Sequence, residues 1–280
     1  MKLGRQSGNV EDRRGMGVPL LAGGGIGVVV LTLIALFLGV DPSEVVPPQT
    51  QSPQTPYTSS GGVPQDEGGK FVSQVLADTE DTWNAIFKED LGRDYQEPKL
   101  QLFTDATQSQ CGMGQAAAGP FYCPLDQKVY IDLSFYRQLK ERFGAPGDFA
   151  QAYVIAHEVG HHVQTQLGVS QQVHSARERA RSQEEANELS VRQELQADCF
   201  AGVWANHSNK TRGTLEPGDI EEGLNAASAI GDDRMQQETR GRVSPESWTH
   251  GSSAMRVRWF KQGFEGGDMR RCDTFAASNL

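Results

Sequence analysis

Apolar and polar positions along this chain fall into three stretches of different character. Val18 to Val40 carries no charged residue and consists mainly of Leu, Val, Ile, Ala and Gly. At about 1.5 Å per helical residue it is long enough to cross a hydrocarbon core of about 30 Å, which predicts one transmembrane helix. From Asp41 to Gly69 apolar residues give way to Pro, Ser, Thr, Gln and Gly, with prolines at 42, 47, 48, 53, 56 and 64. Those prolines exclude a helix or a central strand, and the apolar content is too low to offset chain entropy, so 41–69 reads as a disordered tether. Residues 70–280 return to periodic patterns and form the expected globular domain.

Within that domain Phe71, Val75, Leu76, Trp83, Ile86 and Phe87 recur at helical spacing, predicting a helix from Lys70 to Leu91. Two β-like runs follow, Lys99 to Thr104 and Lys128 to Leu133, the second alternating through Val129, Ile131 and Leu133. They predict a small antiparallel sheet. Ser134 starts a helix that Gly144 ends, and Asp148 caps the next, which continues through Tyr153, Val154, His157 and His161 to Gly168. Ser170 to about Asn206 reads as one long helix, followed by shorter ones over Asp219–Ile230 and Ser253–Gly263. The expected class is α+β, mostly α, preceded by the membrane helix.

Charge and cysteine content sharpen this picture. The formal net charge is −10 and there is no Lys/Arg-rich run beyond the N-terminus, which argues against a nucleic-acid partner. Lys2, Arg5, Arg13 and Arg14 precede the apolar run while Asp41 and Glu44 follow it. The positive-inside rule then leaves residues 1–17 in the cytoplasm and exports the domain, giving a single-pass inner-membrane protein with an extracytoplasmic or periplasmic domain. A cleaved signal peptide fits less well, because the run exceeds a usual h-region and Val40, Asp41 and Pro42 make a poor cleavage site. Gly23 and Gly27 form a GxxxG pair of little weight. Cys111, Cys123, Cys199 and Cys272 all lie beyond the run, an even number that suits an oxidising compartment. Cys111 and Cys123 flank a short Gly-rich loop and pair naturally, leaving Cys199 with Cys272, although four cysteines allow three pairings.

The decisive chemistry is His157, Glu158, Val159, Gly160 and His161, an HExxH segment inside an apolar helical run. Residues four apart share a helix face, so both imidazoles can bind one zinc ion while Glu158 faces water as the general base. A catalytic zinc takes three protein ligands and keeps one position open. Gln164 and Leu167 stand where the extended HExxHxxGxxH pattern needs Gly and His, which excludes that arrangement. Glu194 and Asp198 lie one helical turn apart, so Glu194 can serve as the third ligand while Asp198 accepts the outer ring N–H of a zinc histidine. This pair resembles the ExxxD element of gluzincins. Glu184, Glu185 and Glu188 are the competing carboxylates, but the apolar residues after Asp198 place the Glu194 turn in the core. His162 points off the ligand face and reads as a packing residue.

Ala152 to Gln164, Gly119 to Pro124 and Glu194 to Asp198 together resemble the bacterial YpfJ-like family of neutral zinc metallopeptidases, over nearly the whole chain. The resemblance implies a zincin-like fold, one Zn2+ per chain and a bacterial origin. Thr249 and His250 with Arg256 also look like the Thr-His-Pro…Arg segment of HExxH peptidases related to membrane CAAX-processing enzymes, with Gly251 in place of the proline. By that likeness His250 donates to an oxyanion or occupies the open zinc position, with Arg256 orienting it. The implied reaction is hydrolysis of an unfolded or extended peptide, docked as an added strand along Val129 to Asp132, with Tyr130 and Tyr153 as lining candidates. A zinc-stabilised envelope adaptor without proteolysis, and a hydrolase of peptidoglycan cross-links, are the alternatives; the presence of Glu158 argues against the first.

Overall fold

The computed structural model describes residues 1–15 and 64–280. The apolar run 18–40 and nearly all of the tether lie outside the described residues. Among those described, no helix is long and apolar enough to cross a membrane. The tether ends sooner than its composition indicates: Asp66 accepts from the Gly69 N–H and starts helix α1 at Glu67, running to Leu91 (Glu67–Leu91). Gly92, in the left-handed region at φ 63°, closes it.

Two mixed layers position the site. Strands β1 (Val10–Asp12), β2 (Lys99–Phe103), β5 (Phe121–Cys123) and β6 (Lys128–Asp132) form one sheet in the order β1-β2-β6-β5. Strands β3 (Ala106–Ser109) and β4 (Gly112–Gln115) form a separate antiparallel hairpin. The mostly helical α+β class stands, with antiparallel pairing in β5–β6 and β3–β4. The two strands legible in the sequence, β2 and β6, instead run parallel, Leu100 opposite Val129 and Leu102 opposite Ile131. The excursion between them leaves room for the chain to return to the same end of the sheet, and β5 supplies the antiparallel neighbour of β6.

Residues 1–15, expected to lie apart in the cytoplasm, are folded onto the domain. β1 adds in parallel to the edge of β2, and Val10 is buried beside it. Its alternation is only three residues long, too short to register as a strand by periodicity alone. The domain therefore uses chain that a boundary at residue 70 leaves out.

Helices α2 (Ser134–Glu141), α3 (Asp148–Gln166), α4 (Val169–Glu178), α5 (Gln183–Arg212), α6 (Asp219–Ala229), α7 (Asp232–Arg240) and α8 (Ser253–Gly266) complete the described fold. The long helix expected from Ser170 is broken: Arg179 leaves α4, and Ser182 caps α5 by accepting from the Glu185 N–H. A capping hydroxyl competes for the backbone at that point and wins. α7 is almost wholly polar and so carries no apolar period in the sequence.

α3 and α5 are the central pair; α3 buries most of its length and α5 half of it, chiefly from Leu195 to Asn206. Trp83 of α1, Phe149 of α3, Trp204 of α5 and Phe260 of α8 meet in one core, where Phe149 stacks on Trp204 and Trp83 packs edge-on to Phe200. Trp204 Nε1 donates to Asp78 Oδ1 at 2.8 Å and Arg212 Nε to Asp78 Oδ2 at 2.6 Å, which satisfies the buried polar group joining α1 to α5. Disulfides link Cys111 to Cys123 and Cys199 to Cys272, the pairing favoured by their spacing. The second ties the C-terminal segment to α5 immediately after Asp198.

Candidate metal centre

The HExxH turn lies in the middle of α3, where it faces α5. The two helices approach closely at Gly160: a Cβ there would stand 3.0 Å from the Ala197 carbonyl oxygen. That approach brings Glu194 over the two histidines. Its Oε2 lies 3.2 Å from His157 Nε2 and its Oε1 3.4 Å from His161 Nε2. Donors about 2.1 Å from a tetrahedral zinc stand about 3.4 Å apart, so these separations fit the ion. The ligand atoms of all three residues lie within 4.8 Å of one another. Glu184, Glu185 and Glu188 are not in this group.

Behind the donors is a closed polar network. Asp198, fully buried, accepts from His157 Nδ1 at 2.8 Å, from Arg256 Nε and Nη2 at 2.8 and 2.9 Å, and from the Tyr153 hydroxyl at 2.5 Å. With Nδ1–H directed at Asp198, the neutral form of the His157 ring turns its Nε2 lone pair toward Glu194. Burial alone would raise the Asp198 carboxyl, but the Arg256 guanidinium and His157 outweigh it and hold the group at about 2. His161 is oriented differently: its Nδ1 faces Gln164 Oε1 at 2.9 Å, and Gln164 is fixed in turn by donating to the Gln193 carbonyl and to Gln196 Oε1. Gln164 was missed as a site residue, although its offset of three from His161 is the spacing at which helix neighbours meet.

Arg256 does not orient His250. It is buried against Asp198 and Tyr153, while His250 is held by Asp232, the first residue of α7. Asp232 Oδ2 accepts the backbone N–H groups of Thr249, His250 and Gly251 at 2.7, 2.6 and 3.0 Å, and its Oδ1 lies 3.4 Å from His250 Nδ1. Gly251 adopts φ 88°, beyond the reach of a proline ring fixed near −65°. The Gly-for-Pro difference is thus a consequence of how this loop wraps Asp232. Asp232 was not found from the sequence because the link is made through backbone amides.

His157, Glu158, His161, Glu194 and His250 open on one cleft of about 340 Å³. Glu158 is 8% exposed, and among the described residues its carboxylate accepts no hydrogen bond. Phe121 and Tyr122 of β5 form one wall and Phe135 and Gln138 of α2 another. β6, where an added peptide strand was expected, lies between β2 and β5 and has no free edge; β5 is the edge strand at the cleft. Tyr153 lines the cleft, whereas Tyr130 stacks on Phe121 and donates to Asp126, outside it. His162 lies off the ligand set as expected: buried, bonded to the Gln96 carbonyl and Tyr122, and lowered to about 4 by burial.

The surroundings of His157 and His161 favour their protonated rings. Burial disfavours the His157 imidazolium, but Asp198 and Glu194 outweigh it and raise the group to about 9; Glu194 likewise raises His161. A raised folded value stabilises the metal-free fold fully below the unfolded histidine value and loses that contribution as pH rises through about 9. Zinc needs the neutral rings, so its apparent affinity is expected to climb with pH up to about 9, at most about tenfold per pH unit for each proton displaced. Calorimetric titration in buffers of different ionisation heat would show proton release on zinc binding at neutral pH. A pH-independent affinity would contradict this.

The chain is 52% identical to the uncharacterized protein YpfJ of Escherichia coli (strain K12), over 98% of each chain. It is 40% identical to the uncharacterized protein Rv2575 of Mycobacterium tuberculosis (strain ATCC 25618 / H37Rv), over 88% of this chain and 86% of that one. No solved structure matches. Residues 1–275 match the family described as "Putative neutral zinc metallopeptidase", which implies zinc as the metal, and it is to this family that the chain belongs.

Proposed function

We propose that this protein is a membrane-associated zinc endopeptidase acting outside the cytoplasm on unfolded or extended polypeptide, with one Zn2+ held by His157, His161 and Glu194. The observation that carries the proposal is Glu158: a carboxylate in the cleft, next to the ligand set and, among the described residues, without a hydrogen-bond partner, has no use in a purely structural zinc site. When bound, zinc supplies Lewis-acid polarisation of the scissile carbonyl and a lowered pKa for water.

The protein groups divide the remaining work. Glu158 accepts a proton from the attacking water and passes it to the leaving amine. His250, held by Asp232 and raised in basicity mainly by Glu194 against the opposing effect of burial, donates toward the developing oxyanion. β5 offers backbone groups at the cleft, so an extended peptide adds there as a strand, which favours unfolded segments over folded ones. The two disulfides support an oxidising compartment, and the apolar run 18–40 supports attachment to the membrane.

The test is to incubate the zinc-loaded full chain with an unfolded protein and read new peptide ends by mass spectrometry, before chelation, after it, and after zinc is restored. New ends that vanish and return with the metal are expected. No new ends at one bound zinc per chain would refute the proposal and point to a non-proteolytic zinc module.

A further inference from the structure

We infer that residues 1–15 lie on the same side of the membrane as the catalytic domain, docked into its sheet. The inference rests on reading 18–40 as a membrane segment. It does not depend on the peptidase reaction.

The N-terminal segment is fastened to the domain at every few residues. Beyond the β1–β2 pairing, the Ser7 N–H donates to the Ser73 carbonyl and the Ser73 hydroxyl returns to the Ser7 carbonyl. Lys128 Nζ lies 2.9 Å from both oxygens of Glu11. Most telling is Glu80 of α1, which is 1% exposed. Its carboxylate is satisfied by the Ser7 hydroxyl at 2.5 Å, Asn9 Nδ2 at 2.8 Å and Arg5 Nη2 at 3.0 Å, all from the N-terminal segment. The segment thus both shuts Glu80 off from water and supplies the donors that its buried carboxylate needs, and it covers the edge of β2.

The two ends of the intervening chain also meet. Arg14 reaches Asp12 through Nη2 at 2.6 Å and Asp66 through the same nitrogen at 2.5 Å, clamping the residues just before and just after the stretch 16–63. A single crossing of the membrane would put residues 1–15 and the domain on opposite faces and break every contact above. Residues 41–63 carry no second apolar run that could return through lipid. The docked strand and a single-pass topology therefore exclude one another.

The experiment places single cysteines at two exposed sites of the full chain, Lys2→Cys (side chain 74% exposed) and Lys88→Cys (73%), the natural cysteines being paired. Intact cells are treated with a membrane-impermeant maleimide, and the labelled fraction is compared with that after lysis and with the unsubstituted protein. Both sites are expected to fall in one class: both labelled before lysis, or both only after it. A second variant, Glu11→Cys with Gln101→Cys at register-paired positions, is expected to form a cross-link in membranes, since adjacent strands place such Cα atoms about 4.8 Å apart. Opposite labelling classes, absence of the cross-link, or recovery of the full chain in the soluble fraction would each overturn the inference. Labelling of both sites only after lysis would uphold it while removing the extracytoplasmic location, so the two proposals fail separately.

Discussion

Glu158→Gln is expected to lower peptide hydrolysis by roughly 10³ to 10⁴-fold while zinc remains bound at the same stoichiometry. The carboxylate is not among the three residues whose donor atoms converge, so its conversion to an amide leaves the metal set of His157, His161 and Glu194 in place. It removes the group that accepts the proton from water, and an amide cannot substitute. His250→Ala, measured alongside, is expected to cost about 10²-fold in kcat, the scale of a single oxyanion donor, again with zinc retained. The pair of outcomes separates the two roles: both variants keep metal, and the base matters more than the donor. If Glu158→Gln turned over peptide at the native rate with zinc bound, the assignment of the base would be wrong. If it lost zinc, the carboxylate would belong to the ligand set instead.

Arg256→Met is expected to destabilise the protein by about 3 to 5 kcal/mol, because it takes the guanidinium from the fully buried Asp198 carboxylate. Methionine fills much of the arginine volume, so the loss is electrostatic more than a cavity effect. The Tyr153 hydroxyl and His157 remain as partners, which keeps the cost below that of a wholly isolated charge. Denaturant unfolding would read this as a lower midpoint with an unchanged slope. In the native protein Asp198, held at about 2, contributes stability above the ordinary carboxyl range and loses it as pH falls through about 2. In the variant the carboxyl rises, so acid sensitivity should begin at higher pH. Replacing Asp198 by Asn together with Arg256→Met should recover part of the stability, since the uncompensated charge is gone, while His157 loses the acceptor that orients its ring. Equal stability of Arg256→Met and the native protein would show that the ion pair is not what keeps Asp198 buried.

Local pattern carried the parts of this protein that depend on local chemistry. The spacing of His157 and His161 follows from one helical turn, as does that of Glu194 and Asp198, and both survive in the structure because each pair sits on a single helix. The boundaries of α1, α3 and α8 came within a few residues for the same reason: an apolar stripe and its caps lie within one stretch of chain. Where two distant stretches meet, the local pattern of either one does not select its partner. Nothing in the period of Lys99–Phe103 and Lys128–Asp132 distinguishes parallel from antiparallel neighbours, and nothing in three residues around Val10 announces a strand. The partner of Arg256 turned out to be Asp198 and the support of His250 turned out to be Asp232, because those choices are made by the approach of α8 to α5 and by a loop wrapping one carboxylate. The sequence by itself determined the spacing of His157 with His161 and of Glu194 with Asp198, and the helices that display them. The tertiary structure alone decided which edge strand faces the cleft, which charges lie buried together and where the first fifteen residues belong, since burial and pairing are properties of distances between segments that no single segment encodes.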